Sequence, residues 1–331
     1  MNPNDEYMHP VGDDPAWSES YYFNFCDPKS EVGMFARMGF RANEGTVDGL
    51  MGIYLGGHRV AFVYAREQLP EPYDTLKAGG MEFERREPFK TWGVRYDGPA
   101  QDIADDRILV TRRKERPEGW FKPAQVRMDV TFKALNDPYY TANDGTRGHF
   151  EQAGHATGTI QVGDDKWDVD AYGVRDKSWG PRTWAPGNRR PEQATAGQQA
   201  EESSEPRPFI IWFSGNIGAD MAFGGAVGRR DGEMRGQGWL FRDGENLALN
   251  DVVITSEYEP DSILHKSLVL QGVDEEGVSH RFNGGLVTVT PTKIAMPSGA
   301  TFVNEGLARF EREDGAVGYG IAEYWHTIAK E

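Results

Sequence analysis

Residues 125–134 read QVRMDVTFKA, and this stretch decides the fold class. Val126, Met128, Val130 and Phe132 alternate with polar residues, so an extended strand here has one apolar face and one polar face. Patterns typical of helices are weak along the rest of the chain. The stretch therefore predicts an all-β protein.

Turn signals between the strand-like runs support the same fold class. The chain has 40 glycines, and six of them directly follow an aspartate. Asp-Gly is the dipeptide that two-residue hairpin turns of type I′ prefer. The six pairs begin at Asp48, Asp97, Asp144, Asp231, Asp243 and Asp314. We therefore expect antiparallel hairpins throughout the chain.

The overall charge excludes several classes of partner. Lys and Arg number 36 and Asp and Glu number 52, a net charge of −16, so nucleic acids and anionic membranes are repelled on average. No run of about 18 apolar residues is present, so we expect no membrane insertion. The only cysteine is Cys26, and the N-terminus has no signal-peptide pattern, which predicts a cytoplasmic protein. The oligomeric state stays open.

The segment 172–184, YGVRDKSWGPRTW, carries the strongest functional signal. Three cations, one acid and two tryptophans share thirteen positions. Alternation beyond Gly173 places Arg175 and Lys177 on one strand face and Asp176 on the other, and a glycine there can host a β-bulge that re-aims the following side chains. The segment precedes the junction between two predicted units, where ligand clefts commonly form.

Asp176 has two possible roles that the sequence does not separate. Desolvation in an apolar interior would raise its pKa and make it a proton donor, whereas a neighbouring cation would lower its pKa and make it a fixed anion. A buried ion pair between Asp176 and Arg182 that only stabilises the fold accounts for the same residues equally well. Asp176, Lys177 and Arg175 are therefore the candidate catalytic residues.

Several runs of sequence resemble the double-lipocalin family that includes hydroxyneurosporene synthase, also called carotenoid 1,2-hydratase, and its bacterial relatives. These runs are WSESYYFNF at 17–25, RMGFRANEG at 37–45, HFEQAGHATG at 149–158, RDKSWGPR at 175–182, NEGLARF at 304–310 and GYGIAEY at 318–324. The resemblance reaches both halves of the chain and implies two calycin-like barrels side by side.

The resemblance also implies an activity. The hydratase branch adds water to an isoprenoid double bond without a metal or redox cofactor, through an Asp-His pair in the strand that here contains Asp176. Lys177 stands where that family usually has histidine, and an ordinary lysine, with a pKa of about 10.4, cannot accept a proton near neutral pH. A desolvated Lys177 could still act as a base or form a Schiff base. An isomerase, lyase or cyclase acting on a terpenoid, steroid or aromatic metabolite is equally compatible.

A polar stretch divides the chain into two units. Residues 187–207 contain no apolar side chain larger than alanine and are rich in Gln, Glu, Ser and Pro, a composition that cannot form a packed core. We therefore expect an N-terminal lipocalin-like barrel over 13–186, a mobile polar linker over 187–207 and a C-terminal lipocalin-like barrel over 208–331.

Other residues are weaker candidates. His149, Glu151 and His155 match no common zinc-ligand spacing, so we interpret them as polar rim residues and expect no metal. The glycine-rich runs lack nucleotide-binding patterns, so no cofactor is expected. The candidate substrate-binding residues are Tyr172, Trp179, Trp184, Trp92, Trp239 and Glu323.

The sequence favours a cofactor-independent acid/base enzyme (a hydratase, lyase, isomerase or cyclase) that acts on a hydrophobic small molecule. The main alternative is a non-catalytic lipocalin-like protein that binds an apolar ligand, because the fold alone does not imply catalysis. A glycosidase or carbohydrate-binding protein is the weakest interpretation, since the best motif supplies one acid flanked by cations rather than two carboxylates.

Overall fold

The computed structural model of the protein describes residues 2–182, 208–230, 232–296 and 299–329. Within these ranges the chain forms nineteen strands, and its only helical parts are four short 3-10 turns. The predicted all-β class is confirmed. No helix in these ranges has the length and hydropathy that a membrane span requires. The predicted linker at 187–207 lies outside the described residues, so the proposed boundaries stay a prediction.

The first eleven strands form one antiparallel sheet. Their bounds are β1 Trp17–Cys26, β2 Val32–Arg41, β3 Thr46–Leu55, β4 Val60–Gln68, β5 Lys77–Ala78, β6 Met81–Glu87, β7 Thr91–Ile103, β8 Lys122–Ala134, β9 Tyr139–Asn143, β10 Gly148–Val162 and β11 Asp165–Pro181. The 3-10 turns are Pro3–Glu6, Ala42–Glu44, Asp106–Val110 and Arg113–Glu115.

The first sheet curls into a ring. Its strand order is β4-β3-β2-β1-β11-β10-β8-β7-β6-β5, with β9 added to β10. A short extra pairing between β4 and β7, in which Val60 lies opposite Ile103, brings the two ends of the eight central strands together. Apolar residues fill the interior, where Phe23 packs 5.5 Å from Trp92 between ring centres. This ring is the first of the two lipocalin-like units that the sequence predicts.

The remaining eight strands form a closed barrel. They are β12 Ile210–Ile217, β13 Met221–Arg230, β14 Glu233–Arg242, β15 Glu245–Tyr258, β16 His265–Asp274, β17 Ser279–Met296, β18 Gly299–Arg312 and β19 Val317–Ala329, and β12 pairs with β19 to close the barrel. Stacked rings such as Phe223 and Phe282, 4.0 Å apart, fill its core.

Gly173 allows β1 and β11 to approach closely. A Cβ atom at this position would lie 1.8 Å from the backbone oxygen of Asn24, so only glycine fits. The pairing of Gly173 with Phe25 continues the register on both sides without a shift. The β-bulge that the sequence predicted at Gly173 is therefore not formed, and close backbone contact explains the glycine instead.

Candidate functional site

A large cavity lies between the two units. It has a volume of about 1990 Å³, and its walls come from the outer face of the first sheet and from strands of the closed barrel. Leu50 and Phe62 of the first sheet and Trp212 and Ile263 of the second unit supply apolar surface. Cavities between two domains are common places for a small-molecule ligand.

Strand register places a row of polar side chains on the cavity side of the first sheet. Arg37 on β2 lies opposite Tyr22 on β1, Tyr22 lies opposite Asp176 on β11, and Asp176 lies opposite Glu151 on β10. Directly paired residues of antiparallel strands point to the same face of a sheet. The four side chains therefore follow one another across four strands on the face that meets the second barrel.

His149 lies between two carboxylates. Its Nε2 atom is 3.6 Å from Asp176 Oδ1 and 3.8 Å from Glu151 Oε1, and its Nδ1 atom is 2.6 Å from the Thr141 hydroxyl. Burial disfavours the charged imidazole, but the close contact and charge of Asp176 and the charge of Glu151 outweigh it, and the pKa of His149 is raised. His149 is therefore a stronger base than an ordinary histidine.

Glu151 joins this group to the second barrel. Its side chain is fully buried and accepts hydrogen bonds from the indole nitrogens of Trp212, at 2.8 Å, and Trp239, at 2.5 Å. Burial raises the pKa of Glu151, although the charge of His149 and the two indole donors act in the other direction. Both indole donors come from the closed barrel, so this carboxyl group holds the two units together.

Glu305 and Glu323 form a carboxyl pair on the other wall. They lie directly opposite each other on β18 and β19, and each carboxyl group acts on the other. Burial, and then the charge of Glu323, raises the pKa of Glu305 well above its usual range, and burial also raises the pKa of Glu323. Two facing buried carboxyl groups cannot both ionise, so the pair holds a proton at neutral pH.

Two further donors fix this pair. The Tyr22 hydroxyl donates to Glu305 Oε2 at 2.9 Å, and the Trp325 indole nitrogen donates to Glu323. The charge of Asp176 acts on both carboxyl groups, which shows that the two walls are electrostatically coupled. The cavity thus brings a proton-holding carboxyl pair and a basic histidine together, an arrangement suited to acid/base chemistry.

Three of the residues predicted from the sequence line this cavity. Asp176, Trp179 and Glu323 are all part of its wall. Trp179 is also packed at the end of the first barrel, where its ring stacks on His9 at 4.1 Å. Trp184 lies outside the described residues.

Lys177 and Arg175 were expected to form a catalytic site with Asp176, but the structure separates them from it. Both point to the opposite face of β11, because successive residues of a strand alternate. Lys177 Nζ binds Glu19 Oε1 at 2.5 Å, and Arg175 forms a bidentate ion pair with Glu6 at 2.7 and 2.9 Å. Both are enclosed in the first unit, so they stabilise the fold rather than face the cavity.

Three of the expected substrate-binding residues also lie away from the cavity wall. Trp92 is buried in the core of the first barrel, against Phe23. Trp239 is buried between the units, with its indole nitrogen committed to Glu151. Tyr172 stacks on His155 at 4.9 Å.

The structure adds three residues that the sequence did not assign to a site. His149 and Glu151 come together with Asp176 only through the pairing of β10 with β11. Glu305 meets Glu323 only through the pairing of β18 with β19. One signal was available for Glu305, because an acid within a mostly apolar strand segment needs a partner.

One group of possible metal ligands lies outside the cavity. Among the described residues, ligand atoms of His58, Asp105 and Asp106 lie within 4.8 Å of one another. Asp105 is already paired with Arg107 at 2.6 Å, and Asp106 accepts hydrogen bonds from threonines of β17. These acids therefore already have partners within the chain.

Comparisons with known proteins extend over almost the whole chain. Residues 2–328 match the family described as "Domain of unknown function (DUF7064)". Among the curated proteins none matches the sequence significantly. The solved structures provide likeness at the level of the fold.

Three solved structures illustrate this likeness. A crystal structure of an AttH protein from Nitrosomonas europaea has a TM-score of 0.57 and 10% identity, covering 99% of this chain and 96% of that one. Kievitone hydratase from Nectria haematococca has a TM-score of 0.53 and 11% identity, covering 95% of this chain and 90% of that one. CghA with Sch210972 has a TM-score of 0.53 and 9% identity, covering 95% of this chain and 89% of that one. The likeness confirms the two-unit, lipocalin-like fold that the sequence resemblance implied.

Proposed function

Because the chain belongs to the DUF7064 family, whose description names no activity, its function has to come from its site, and we propose an enzyme of hydratase or isomerase type acting on an apolar small molecule. The chain's own ionisable groups move the protons. The substrate occupies the cavity between the two units, with its reacting double bond between the two polar walls.

The observation that carries this proposal is the buried carboxyl pair Glu305–Glu323, which shares one cavity with His149 and Asp176. A structural ion pair would place a cation against a buried carboxylate. Here two acids face each other and are held by a tyrosine and a tryptophan. The charge of Arg182 acts on Glu323, but burial still raises the pKa of both acids, which leaves a neutral carboxyl group able to donate a proton. The pKa of the base, His149, is also raised, here by nearby carboxylates, so it binds the accepted proton more tightly than an ordinary histidine.

The chemistry follows from these positions. The Glu305–Glu323 pair donates a proton to one carbon of the double bond, and a water molecule attacks the carbocation or conjugated carbon that results. His149 accepts the proton that this water loses, and Asp176 stabilises the imidazolium that forms. Return of that proton to the carboxylate restores the enzyme. An isomerase uses the same first step, but His149 removes a proton from a neighbouring carbon instead.

The resemblance noted from the sequence and the solved structures support this class of reaction. One of the structural neighbours is a hydratase by name, and it covers nearly the whole chain. The site differs from the Asp-His sequence pair that the resemblance implies, because here the histidine beside Asp176 comes from the neighbouring strand at position 149. A histidine contributed across the sheet supplies the base that Lys177 cannot.

The proposal is tested by isotope labelling. The purified protein is incubated with a panel of apolar alkenes and conjugated carbonyl compounds in heavy-oxygen water and, separately, in D₂O. A hydratase incorporates both labels into a compound of the panel, and an isomerase incorporates deuterium alone. Glu305→Gln should abolish either incorporation, because it cannot donate the proton.

Glu311→Gln is the matched control, since Glu311 lies on the same strand but is exposed and paired with Arg309. Full incorporation by Glu305→Gln would contradict the proposal. Tight binding of a panel compound without any isotope exchange would instead favour the non-catalytic binding protein.

A further inference from the structure

The charge of the cavity is opposite to that of the chain. Among the described residues, nine cationic side chains line it, eight arginines and one lysine, against five acids. The whole chain has 36 cations and 52 acids. Two of the five acids, Glu305 and Glu323, share a proton, which makes the cavity still more cationic. A local excess of cations in an acidic protein draws a negatively charged ligand to that place.

Four of these cations have an acid beside them. Arg41 and Arg66 both bind Asp48, at 3.0 and 2.7 Å. Arg37 and Arg182 lie deeper in the cavity, where burial lowers the pKa of both, while the charge of the nearby Asp176 acts in the other direction. The inner arginines therefore already have acids beside them.

A different situation holds at residues 112–116, which read RRKER. This basic run has one acid, Glu115, which lies 4.0 Å from Arg112 and 3.9 Å from Lys114. Arg113 is exposed, lines the cavity and forms no ion pair with any residue that the structure describes. An exposed residue of the cavity wall lies where the cavity meets solvent, so Arg113 marks its mouth.

Arg116 lines the same part of the cavity and is held in place. Its Nε and Nη2 atoms donate to the carbonyl oxygens of Thr111 and Leu109, both at 3.0 Å. Its guanidinium lies 4.5 Å from the ring centre of Trp120. The charge of Arg113 lowers the pKa of Arg116, after burial, so the two cations are close enough to repel each other. An anion bound by both would relieve that repulsion.

We propose that the substrate is an amphiphile with an apolar body and one oxyanion group, a carboxylate or a phosphate, and that Arg113 and Arg116 bind this group at the cavity mouth. This inference rests on the proposed function, which places the reacting double bond between the inner walls. Guanidinium groups match both oxyanions because their donors form paired, charge-assisted hydrogen bonds. Such an anchor at the mouth would fix which part of the apolar body reaches Glu305.

Binding is measured by calorimetry with three probes that share one chain: decanoate, decyl phosphate and decanol. We expect at least one anionic probe to bind the wild-type protein about 10- to 100-fold more tightly than decanol, the range for charge-assisted hydrogen bonds. Comparison of decanoate with decyl phosphate tells a carboxylate site from a phosphate site. Added salt should reduce the preference for the anionic probe, because charges at the solvent-exposed mouth are screened.

Arg113→Gln should remove most of the preference for the anion without unfolding the protein, since Arg113 has no ion pair to lose within the described part of the chain. Arg116→Gln should remove it as well. Arg235→Gln is the matched control, because Arg235 is exposed on the barrel and paired with Glu233. The proposal is overturned if neither anionic probe binds more tightly than decanol, or if Arg113→Gln keeps the full preference.

The binding test does not depend on catalysis. A lost anion preference beside intact labelling would overturn the oxyanion anchor and leave the acid/base proposal standing. If isotope labelling is absent but the anion preference depends on Arg113, the acid/base proposal is overturned and the oxyanion anchor stands.

Discussion

The hydroxyl of Tyr22 donates a hydrogen bond of 2.9 Å to Glu305 Oε2, although the two residues lie 283 positions apart. Tyr22 comes from the first sheet and Glu305 from the closed barrel, so this bond crosses from one wall of the cavity to the other. It also connects the two polar groups of the site, because Tyr22 lies opposite Asp176 in the strand register. A proton donor of one unit is thereby tuned by a side chain of the other.

Tyr22→Phe should therefore alter the acid. The Tyr22 hydroxyl stabilises the ionised form of Glu305, so its removal raises the pKa of Glu305 further. We expect the limb of the pH–rate profile set by the carboxyl pair to move to higher pH, with a stability loss of about 1–2 kcal/mol. Tyr54→Phe is the control, since the Tyr54 hydroxyl binds the backbone oxygen of Glu305 rather than its carboxyl group. Equal pH profiles for both variants would contradict this role.

Asp176→Asn should impair the base. It removes the negative charge beside His149 that raises the pKa of this histidine, so the limb of the profile set by His149 should move to lower pH. Turnover should fall by about 10²- to 10⁴-fold, the usual contribution of positioned acid/base groups. Asp170→Asn, on the same strand but exposed and paired with His155, is the control.

The same preparation of Asp176→Asn separates a catalytic role from a structural one. If Asp176 serves only to balance buried cations such as Arg182, its loss should lower the free energy of unfolding by about 3–5 kcal/mol. Thermal melting and turnover are therefore measured together. Early melting with full specific activity of the folded protein would rule out the catalytic assignment.

Lys177→Met should affect stability rather than chemistry. Glu19 and Lys177 are both fully buried and bound to each other, so the variant removes the lysine cation and leaves the Glu19 carboxylate with His9 as its remaining partner. We expect a loss of about 3–5 kcal/mol in urea unfolding. The double variant with Glu19→Gln should recover part of this loss, because no unpaired charge remains. Large loss of turnover in a fully folded Lys177→Met protein would restore Lys177 as a catalytic candidate.

Asp106 should make stability depend on pH. Burial raises its pKa to about 7, so between the unfolded value and pH 7 the folded state binds more protons than the unfolded state. Stability contributed by this group is therefore lost as pH rises through that window, by on the order of 4 kcal/mol at most. Urea unfolding at both ends of the window should show wild type losing stability relative to Asp106→Asn. A constant difference between the two proteins would contradict this expectation.

The fold was accessible from local patterns. The alternation at 125–134 forms part of β8, and a pattern with a period of two residues depends only on neighbouring residues. The Asp-Gly signals were less reliable, because Asp48-Gly49 and Asp97-Gly98 lie inside β3 and β7 rather than in turns. Asp243-Gly244 does form a turn, and both of its residues have positive φ angles.

The site was accessible only in part. The motif around Asp176 indicated one wall of the cavity, and the alternation of β11 correctly separated Asp176 from Lys177. Which partner stands beside Asp176 depends on the register between β10 and β11, and the facing of Glu305 and Glu323 depends on that between β18 and β19. Register between strands is set by packing across the whole sheet, so a pattern within one strand cannot reveal it.

Glu151 has a consequence for how the protein unfolds and how a ligand enters. Separating the two units would leave its carboxyl group and the indoles of Trp212 and Trp239 without their partners, which is costly in a dry interface. The two units, each with its own core, should thus melt in a single cooperative transition. A ligand would then reach the cavity by threading through its mouth, not by a hinge opening, and neither half of the gene should yield a stable protein when expressed alone.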